Sequence, residues 1–387
     1  ARRTKRINPD AITALIGCYA EASGESLAKI SEIDLLIGSV DKESVVSEIA
    51  RLLDARVRAS GGDSAESERI SLYERQTADT DEQREKSIGR FCGIAKNDRI
   101  TEMDSRTRAY IKIEDGCDRY CSFCVIPYAR GPVRSRPMDE ILAEAQALIA
   151  NGYKEIILTG VNAALYGQDS VYDIIDIVNS ISGIKGDFRI RLGSLEPTVI
   201  DADYAKRLIK CEKLCNHLHL SLQSGSDRIL KAMRRRYTMA DYYGIIDVLR
   251  DHDPDYSVTT DMIVGFPGES EDDFQDSLKA VERAGFSRVH VFKYSKRKNT
   301  AAAEMPDQIP ETEKTRRAKL LAEAGEKSAV AFLAQNSGKI RQTLLLEKLA
   351  AEGIYTGITD NDLEVKVSAQ SSGDISNTFI NFKIPAV

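Results

Sequence analysis

No apolar run in this sequence approaches the roughly eighteen residues of a membrane-spanning helix, and no signal-peptide pattern opens the chain. Both absences point away from membrane and export. Cysteine is scarce and odd in number: seven, three of them within one eight-residue stretch. That is not the even, dispersed set of a disulfide frame; it fits metal binding in a reducing compartment, so the cytoplasm is the expected location. An excess of positive charge is missing too. With 54 Lys and Arg against 60 Asp and Glu, the formal net charge of −6 gives no global pull on nucleic acid. Any RNA contact must then use local basic patches. What remains, 42% hydrophobic and 29% charged residues over 387 positions, reads as a globular chain long enough for two or three domains.

The stretch EDGCDRYCSFCVIPYARG, residues 114–131, organises the rest. Cys117, Cys121 and Cys124 are spaced C-x3-C-x2-C, with Gly116 before them and Pro127 and Gly131 after, so the run reads as a loop leaving the strand RAYIKI. Three clustered thiolates can hold three corners of an iron–sulfur cube and leave its fourth iron open for a substrate or cofactor. A structural zinc site is the alternative, but it would ordinarily close with a fourth Cys or His. None follows within thirty residues of Cys124.

Residues 1–57 read as a small α/β unit: ITALIGCYAE a strand ending at Gly17-Cys18, SLAKISEI a helix, DLLIGSV a second strand and SVVSEIARLL a second helix. Cys18 then sits at a strand C-terminus, where functional loops of parallel sheets lie, although a buried small apolar residue is the ordinary role of a free cysteine. ARRTKRINPDA reads as a helix end running into a strand, so an N-terminal truncation is expected. Residues 58–106 are polar and aperiodic and read as a linker, with Cys92 incidental within it. From 107 to about 335 strand candidates (RAYIKI, EIILTG, FRIRLGS, HLHLSL, YSVTTDMIVG, RVHVFKY) alternate with amphipathic helices, several preceded by Asp or Ser caps. Six β/α units in series predict an α/β fold with a parallel, barrel-like sheet and a site at the strand C-terminal ends. Residues 336–387 offer short strands closely spaced, the pattern of a small β-barrel.

Cys211, Cys215, His217 and His219 mimic a zinc set, but helix-end cysteines and strand histidines would have to turn sharply to converge, so core packing is the better account. Two basic clusters, Lys231 with Arg234–Arg236 and Lys293 with Lys296–Lys298, follow late strands. A solvated surface is the usual role of such runs; their placement favours phosphate contacts with RNA.

C-x3-C-x2-C with an aromatic, Phe123, before its last cysteine resembles the signature of the radical S-adenosylmethionine (SAM) enzymes. The longer string DGCDRYCSFCVIPYARGPVRSRP resembles one branch of them, the methylthiotransferases. The resemblance runs from about residue 7 to the end and is weakest in the linker and the last fifty residues. It implies a partial (β/α)6 barrel preceded by a truncated N-terminal α/β domain and closed by a small TRAM-like RNA-binding β-barrel. It implies a 4Fe–4S cluster on Cys117, Cys121 and Cys124 whose open iron binds SAM and yields a 5′-deoxyadenosyl radical. SAM contacts are implied at Phe123, at Thr159, Gly160 and Asn162 (amino group), at Glu196 (ribose), at Gln223, and at Ile263 and Gly265 (adenine). GCYAE is similar to the third cysteine motif of the family's N-terminal domain, where three cysteines hold a second 4Fe–4S cluster that carries the sulfur. Two of those cysteines have no counterpart here, so Cys18 is a lone ligand and weak binding of that cluster is expected.

The implied partner is a tRNA anticodon stem-loop, with an electron donor and a sulfur source unidentified. RIRLGSLEP, HLHLSLQSGSDRILKAMRRRYT and FKYSKRKNTAAAEMP resemble the branch acting on N6-threonylcarbamoyladenosine. Asn162 instead matches the isopentenyladenosine branch. A one-cluster radical SAM enzyme of another reaction and an RNA-binding fragment without turnover remain the rival readings.

Overall fold

Parallel strands joined by helices build most of the chain. The computed structural model describes residues 1–39, 41–60, 70–72, 100–102, 107–349, 353–368 and 373–386. They fall into two compact units: one from Ala1–Gly93, Gly116–Pro132 and Arg297–Ala303, the other from Ile94–Asp115, Val133–Lys296 and Glu304–Val387. The cysteine loop is therefore grouped with the N-terminal residues rather than with the strands that flank it in sequence.

In the first unit a short helix α1 (Arg2–Ile7) leads to β1 (Ala14–Ile16), α2 (Cys18–Leu27), β2 (Leu35–Ile37), α3 (Val45–Ser60) and β3 (Ile70–Leu72). The strands are parallel in the order β1-β2-β3. β2 is central and wholly buried, and its side chains alternate between faces. Leu36 packs with Ala20 and Leu27 of α2, while Leu35 and Ile37 pack with Leu52 of α3. Two details differ from the sequence reading. Helix α2 starts at Cys18, upstream of SLAKISEI, because Gly17 at φ 103° breaks the strand and leaves Cys18 as the first helical residue. β3 lies inside the stretch read as linker: three residues between charged neighbours are too few to show a period. Cys92 lies outside the described residues. The loop segment adds a one-turn helix, α4 (Ile126–Arg130), to this unit.

In the second unit β4 (Arg108–Lys112) is followed by β5 (Glu114–Asp115), which pairs antiparallel with β6 (Arg134–Ser135). Then α5 (Met138–Ala150), β7 (Glu155–Thr159), α6 (Ile174–Ser182), β8 (Arg189–Leu192), β9 (Ser194–Leu195), α7 (Ala202–Leu208) and β10 (His217–Leu220) follow. α8 (Asp227–Ala232), α9 (Met239–His252), β11 (Ser257–Val264), α10 (Glu271–Ala284), β12 (Arg288–Lys293) and α11 (Glu311–Asn336) complete the run. One parallel sheet has the order β4-β7-β8 and the other β12-β11-β10-β9, and an isolated parallel bridge, Ile190 to Leu214, links them. The helices start where the sequence supplies caps: Asp173, Asp201, Ser226, Thr238 and Ser270 each accept from a first-turn N–H. Such a cap contributes about 1 kcal/mol.

Strand alternation sorts β8 into two faces. Ile190 and Leu192 enter the apolar core, while Arg189 and Arg191 point the other way onto Glu155, at 2.6 and 3.0 Å. The arginines also donate to the Gln342, Ile358 and Thr359 carbonyls of the C-terminal sheet. That sheet consists of β13 (Ile340–Lys348), β14 (Ile354–Thr359), β15 (Glu364–Ser368) and β16 (Phe379–Lys383), antiparallel in the order β15-β14-β13-β16.

Candidate cofactor site

In the first unit the three-cysteine loop is closed at its base. Cys117 N–H donates to the Gly131 carbonyl at 3.0 Å, and a turn returns Cys124 N–H to the Cys121 carbonyl at 3.0 Å. Gly116 makes the closure possible: at φ 89°, a Cβ there would stand 1.9 Å from the Pro132 carbonyl oxygen. Tyr120, between the first two cysteines, is also left-handed at φ 48°. The Ser122 carbonyl accepts from Ala302 N–H at 2.7 Å, fixing the loop's midpoint. Cys117, Cys121 and Cys124 are each half-buried and outside any disulfide, and Phe123 is half-buried between them in sequence.

Cys18 belongs to the same unit and meets that loop through a side chain absent from the sequence argument. Arg130 Nε donates to Cys18 Sγ at 3.1 Å, and Ser39 Oγ donates from the other side at 3.4 Å. Burial pushes the thiol's pKa up, but these hydrogen bonds and the charges of Arg130 and Lys42 outweigh it and hold Cys18 below the ordinary thiol value.

In the second unit the ends of β7, β9 and the chain after β10 converge on a buried polar network. Glu114 Oε2 accepts from Asn162 N–H at 3.0 Å, and its approach depends on Gly160, where a Cβ would lie 2.6 Å from that oxygen. Glu114 Oε1 is buried and makes no hydrogen bond. Burial is the main cause that raises the Glu114 pKa to about 8. Asn162 Nδ2 donates to Glu196 Oε2 at 2.8 Å, while Arg235 and Thr198 donate to Glu196 Oε1 at 2.8 and 3.1 Å. Thr159 is half-buried at the end of β7. Gln223, at φ 71°, takes part in the sheet, donating to the Asp261 carbonyl and accepting from Ile263 N–H, both at 2.8 Å. Gly265 sits at φ 70° with the aliphatic stem of Lys314 where a Cβ would be (2.3 Å), and its N–H donates to Glu269 at 2.7 Å.

Two sequence readings change. Arg235, grouped with a surface basic cluster, is buried against Glu196, and Lys293 is paired with Glu311. Lys231, Arg234, Arg236, Lys296, Arg297 and Lys298 are exposed. The zinc-like set does not form. Cys211 packs in the apolar core, Cys215 is buried with its pKa raised by desolvation to about 11, and burial drops His217 to about 3. Sequence reasoning missed Glu114, Arg235 and the side chains Asp261 and His290, which stand beside His219. Glu114 was visible as the acid opening E-D-G-C. Asp261 was visible as the one charge within the strand SVTTDMIV.

Residues 111–281 match the Radical SAM superfamily. Threonylcarbamoyladenosine tRNA methylthiotransferase MtaB of Aquifex aeolicus is 34% identical over 94% of this chain and 82% of its own length. The Bacillus subtilis protein of that name is 33% identical over 99% of this chain and 80% of its own. The tRNA-2-methylthio-N(6)-dimethylallyladenosine synthase of Caldicellulosiruptor saccharolyticus is 39% identical over 71% of this chain and 59% of its own. A radical SAM domain implies a 4Fe–4S cluster and SAM. The donor set fits: soft thiolates on one closed loop suit iron–sulfur chemistry, and Glu114 Oε1 is buried without a hydrogen-bond partner. From cysteine loop to strand ends, and by identity over nearly its whole length, the chain belongs to the radical SAM methylthiotransferase family.

Proposed function

We propose that this chain adds a methylthio group to carbon 2 of N6-threonylcarbamoyladenosine beside the anticodon of tRNA. The observation carrying the substrate is the extent of alignment. The two MtaB proteins align with 94% and 99% of this chain, the dimethylallyladenosine synthase with 71%. Asn162 is the residue that favours the second reading, the same reaction on isopentenyladenosine.

Cys117, Cys121 and Cys124 would hold the cluster, leaving one iron open for SAM; when bound, the cluster supplies the electron that cleaves SAM for hydrogen abstraction. The protein's own part is to bind, orient and keep water out. Glu114 Oε1 takes the SAM ammonium, and Gly160 leaves room for it. Asn162 and Arg235 hold Glu196 in one orientation, toward the ribose. Thr159, Gln223, Ile263 and Gly265 line the rest of the SAM site, and Phe123 sets the spacing of the cluster loop. Cys18, its thiol pKa held below the ordinary value by Ser39 and Arg130, would be a lone and therefore weak ligand of a second 4Fe–4S cluster, which would supply the sulfur to be inserted.

The parallel strands of 107–335 act as the partial (β/α)6 barrel and 336–387 as the TRAM-like module, behind an N-terminal domain (1–57) and a connecting segment (58–106). The exposed basic residues would meet tRNA phosphates. An electron donor and a sulfur source complete the reaction, in the cytoplasm.

The test is anaerobic reconstitution of the full chain with SAM, a reductant and tRNA carrying either modified adenosine, with nucleosides identified by mass spectrometry. Methylthiolation of the threonylcarbamoyl substrate alone is expected, with Cys121→Ala abolishing SAM cleavage. Methylthiolation of the isopentenyl substrate alone would overturn the substrate assignment. SAM cleavage without methylthiolated tRNA would overturn the transfer.

A further inference from the structure

Outside the network described above, three side chains on neighbouring parallel strands form a second constellation: His219 on β10, Asp261 on β11 and His290 on β12. Each offers one ligand atom, and the three atoms lie within 4.8 Å of one another. The sheet register builds the group. Asp261 and His290 are direct cross-strand partners, and His219 is paired with Thr259, two residues before Asp261 and so on the same face of β11. We propose that His219, Asp261 and His290 bind a divalent transition-metal ion in a site separate from the cysteine clusters.

The geometry is that of a ligand set rather than a surface ion pair. His219 Nε2 is buried and stands 3.1 Å from Asp261 Oδ2. At that spacing a proton on Nε2 or a metal ion can lie between the nitrogen and the carboxylate oxygen, and the zinc titration below separates the two. Bonds of 2.0–2.2 Å around one ion put neighbouring ligand atoms about 2.9–3.4 Å apart, so this edge already has the length a metal needs.

The other ring nitrogen is held as metal-binding imidazoles are held. His219 Nδ1 and Thr259 Oγ1 are 3.0 Å apart, and the same hydroxyl is 3.0 Å from Nε2 of the buried His217. Ser221 Oγ donates to Asp261 Oδ2 at 3.4 Å, supporting the carboxylate. His290 is exposed, which leaves coordination positions open to solvent or to a small ligand. Two imidazoles and one carboxylate with open positions suit zinc, iron(II), cobalt(II) or nickel(II), and not calcium or magnesium, which prefer all-oxygen shells. The one basic side chain on the same strand face, Arg288, is tied to Glu364 at 2.9 Å.

Zinc is the probe. Cluster-reconstituted full chain is titrated with Zn2+ against a chromophoric chelator, in the parent and in His290→Ala and Asp261→Asn. His290→Ala removes an exposed side chain that the fold does not need. One zinc equivalent is expected to bind at least tenfold more weakly in each variant, with iron content unchanged. Zinc-edge X-ray absorption of that equivalent is expected to show imidazole nitrogen and oxygen neighbours. Identical zinc binding in parent and both variants, or an all-sulfur shell, would overturn the site. Neither readout depends on SAM cleavage or tRNA modification, so the result stands whatever the substrate is.

Discussion

Replacing Glu114 with Gln keeps the shape and the acceptor oxygen that meets Asn162 N–H but removes the ability to ionise, which isolates the electrostatics of this buried group. Burial lifts the Glu114 pKa from 4.5 to about 8. The free protein at pH 7 therefore carries this side chain predominantly as the neutral acid, with Oε1 unpartnered. Docking the SAM ammonium against Oε1 favours the carboxylate, so binding should expel close to one proton per SAM at pH 7. The salt-bridged hydrogen bond contributes about 1.5–3 kcal/mol, so Glu114→Gln should weaken SAM ten- to a hundredfold. Isothermal titration in buffers of different ionisation enthalpy reads both numbers. The parent should release the proton and the variant should not. Equal proton release in the two, or unchanged SAM affinity, refutes the role of Glu114.

Stability carries an independent signature of the same shift. The folded pKa is raised above the unfolded one, so between pH 4.5 and 8 the unfolded chain has lost a proton that the folded chain keeps, and stability falls as pH rises. At about 1.36 kcal/mol per pH unit, the raised pKa costs the parent at most about 5 kcal/mol by pH 8. Glu114→Gln should therefore gain on the parent in melting temperature across that window and match its slope below it.

Gly116→Ala should prevent the cysteine loop from closing, because its Cβ would fall 1.9 Å from the Pro132 carbonyl oxygen at a φ of 89°. Iron incorporated on reconstitution is expected to drop by about four per chain, as in a cluster-ligand mutant. Glu155→Gln leaves Arg189 buried without its counter-ion and Arg191 with Asp362 alone, and should cost about 3–5 kcal/mol. Chemical denaturation should show the loss as a lowered midpoint of the transition that includes the C-terminal sheet, since the same arginines hold its carbonyls. Asp34 accepts from Lys5, Arg56 and Thr13 N–H. Burial would raise its pKa, but these donors win and lower it. Its contribution is thus present above the ordinary aspartate range and is lost on acidification. Asp34→Asn should melt below the parent at pH 7 and converge with it as the pH falls through that range.

Much of this was legible because the signals are local. A C-x3-C-x2-C loop is contiguous, caps such as Asp173 and Ser270 stand next to the helices they start, and β11 announces itself by its β-branched residues. β3 escaped because three residues have no period, and the start of α2 was misplaced because only backbone geometry at Gly17 makes Cys18 helical rather than extended. The basic run Lys231–Arg236 shows the limit most plainly. A row of like charges reads as solvated surface, yet Arg235 turns inward to Glu196 while its neighbours Arg234 and Arg236 stay exposed. No pattern in a run of identical charges says which one will be buried.

The same limit explains why the candidate metal ligands were hidden while their strands were not. Within β10, β11 and β12 each polar residue breaks an apolar period and reads as noise in a strand assignment. Only the parallel register turns the three interruptions into one group, because it sets Asp261 opposite His290 and puts His219 on the shared face. β8 obeys the same rule: Arg189 and Arg191 alternate with Ile190 and Leu192, and their meaning appears only when Glu155 arrives from the neighbouring strand. A charged residue recurring at period two inside an otherwise apolar strand therefore predicts a partner on the adjacent strand at the same level. Applied to RVHVFKY, where Arg288 and His290 recur at period two, that rule picks out His290, and the register places Asp261 opposite it.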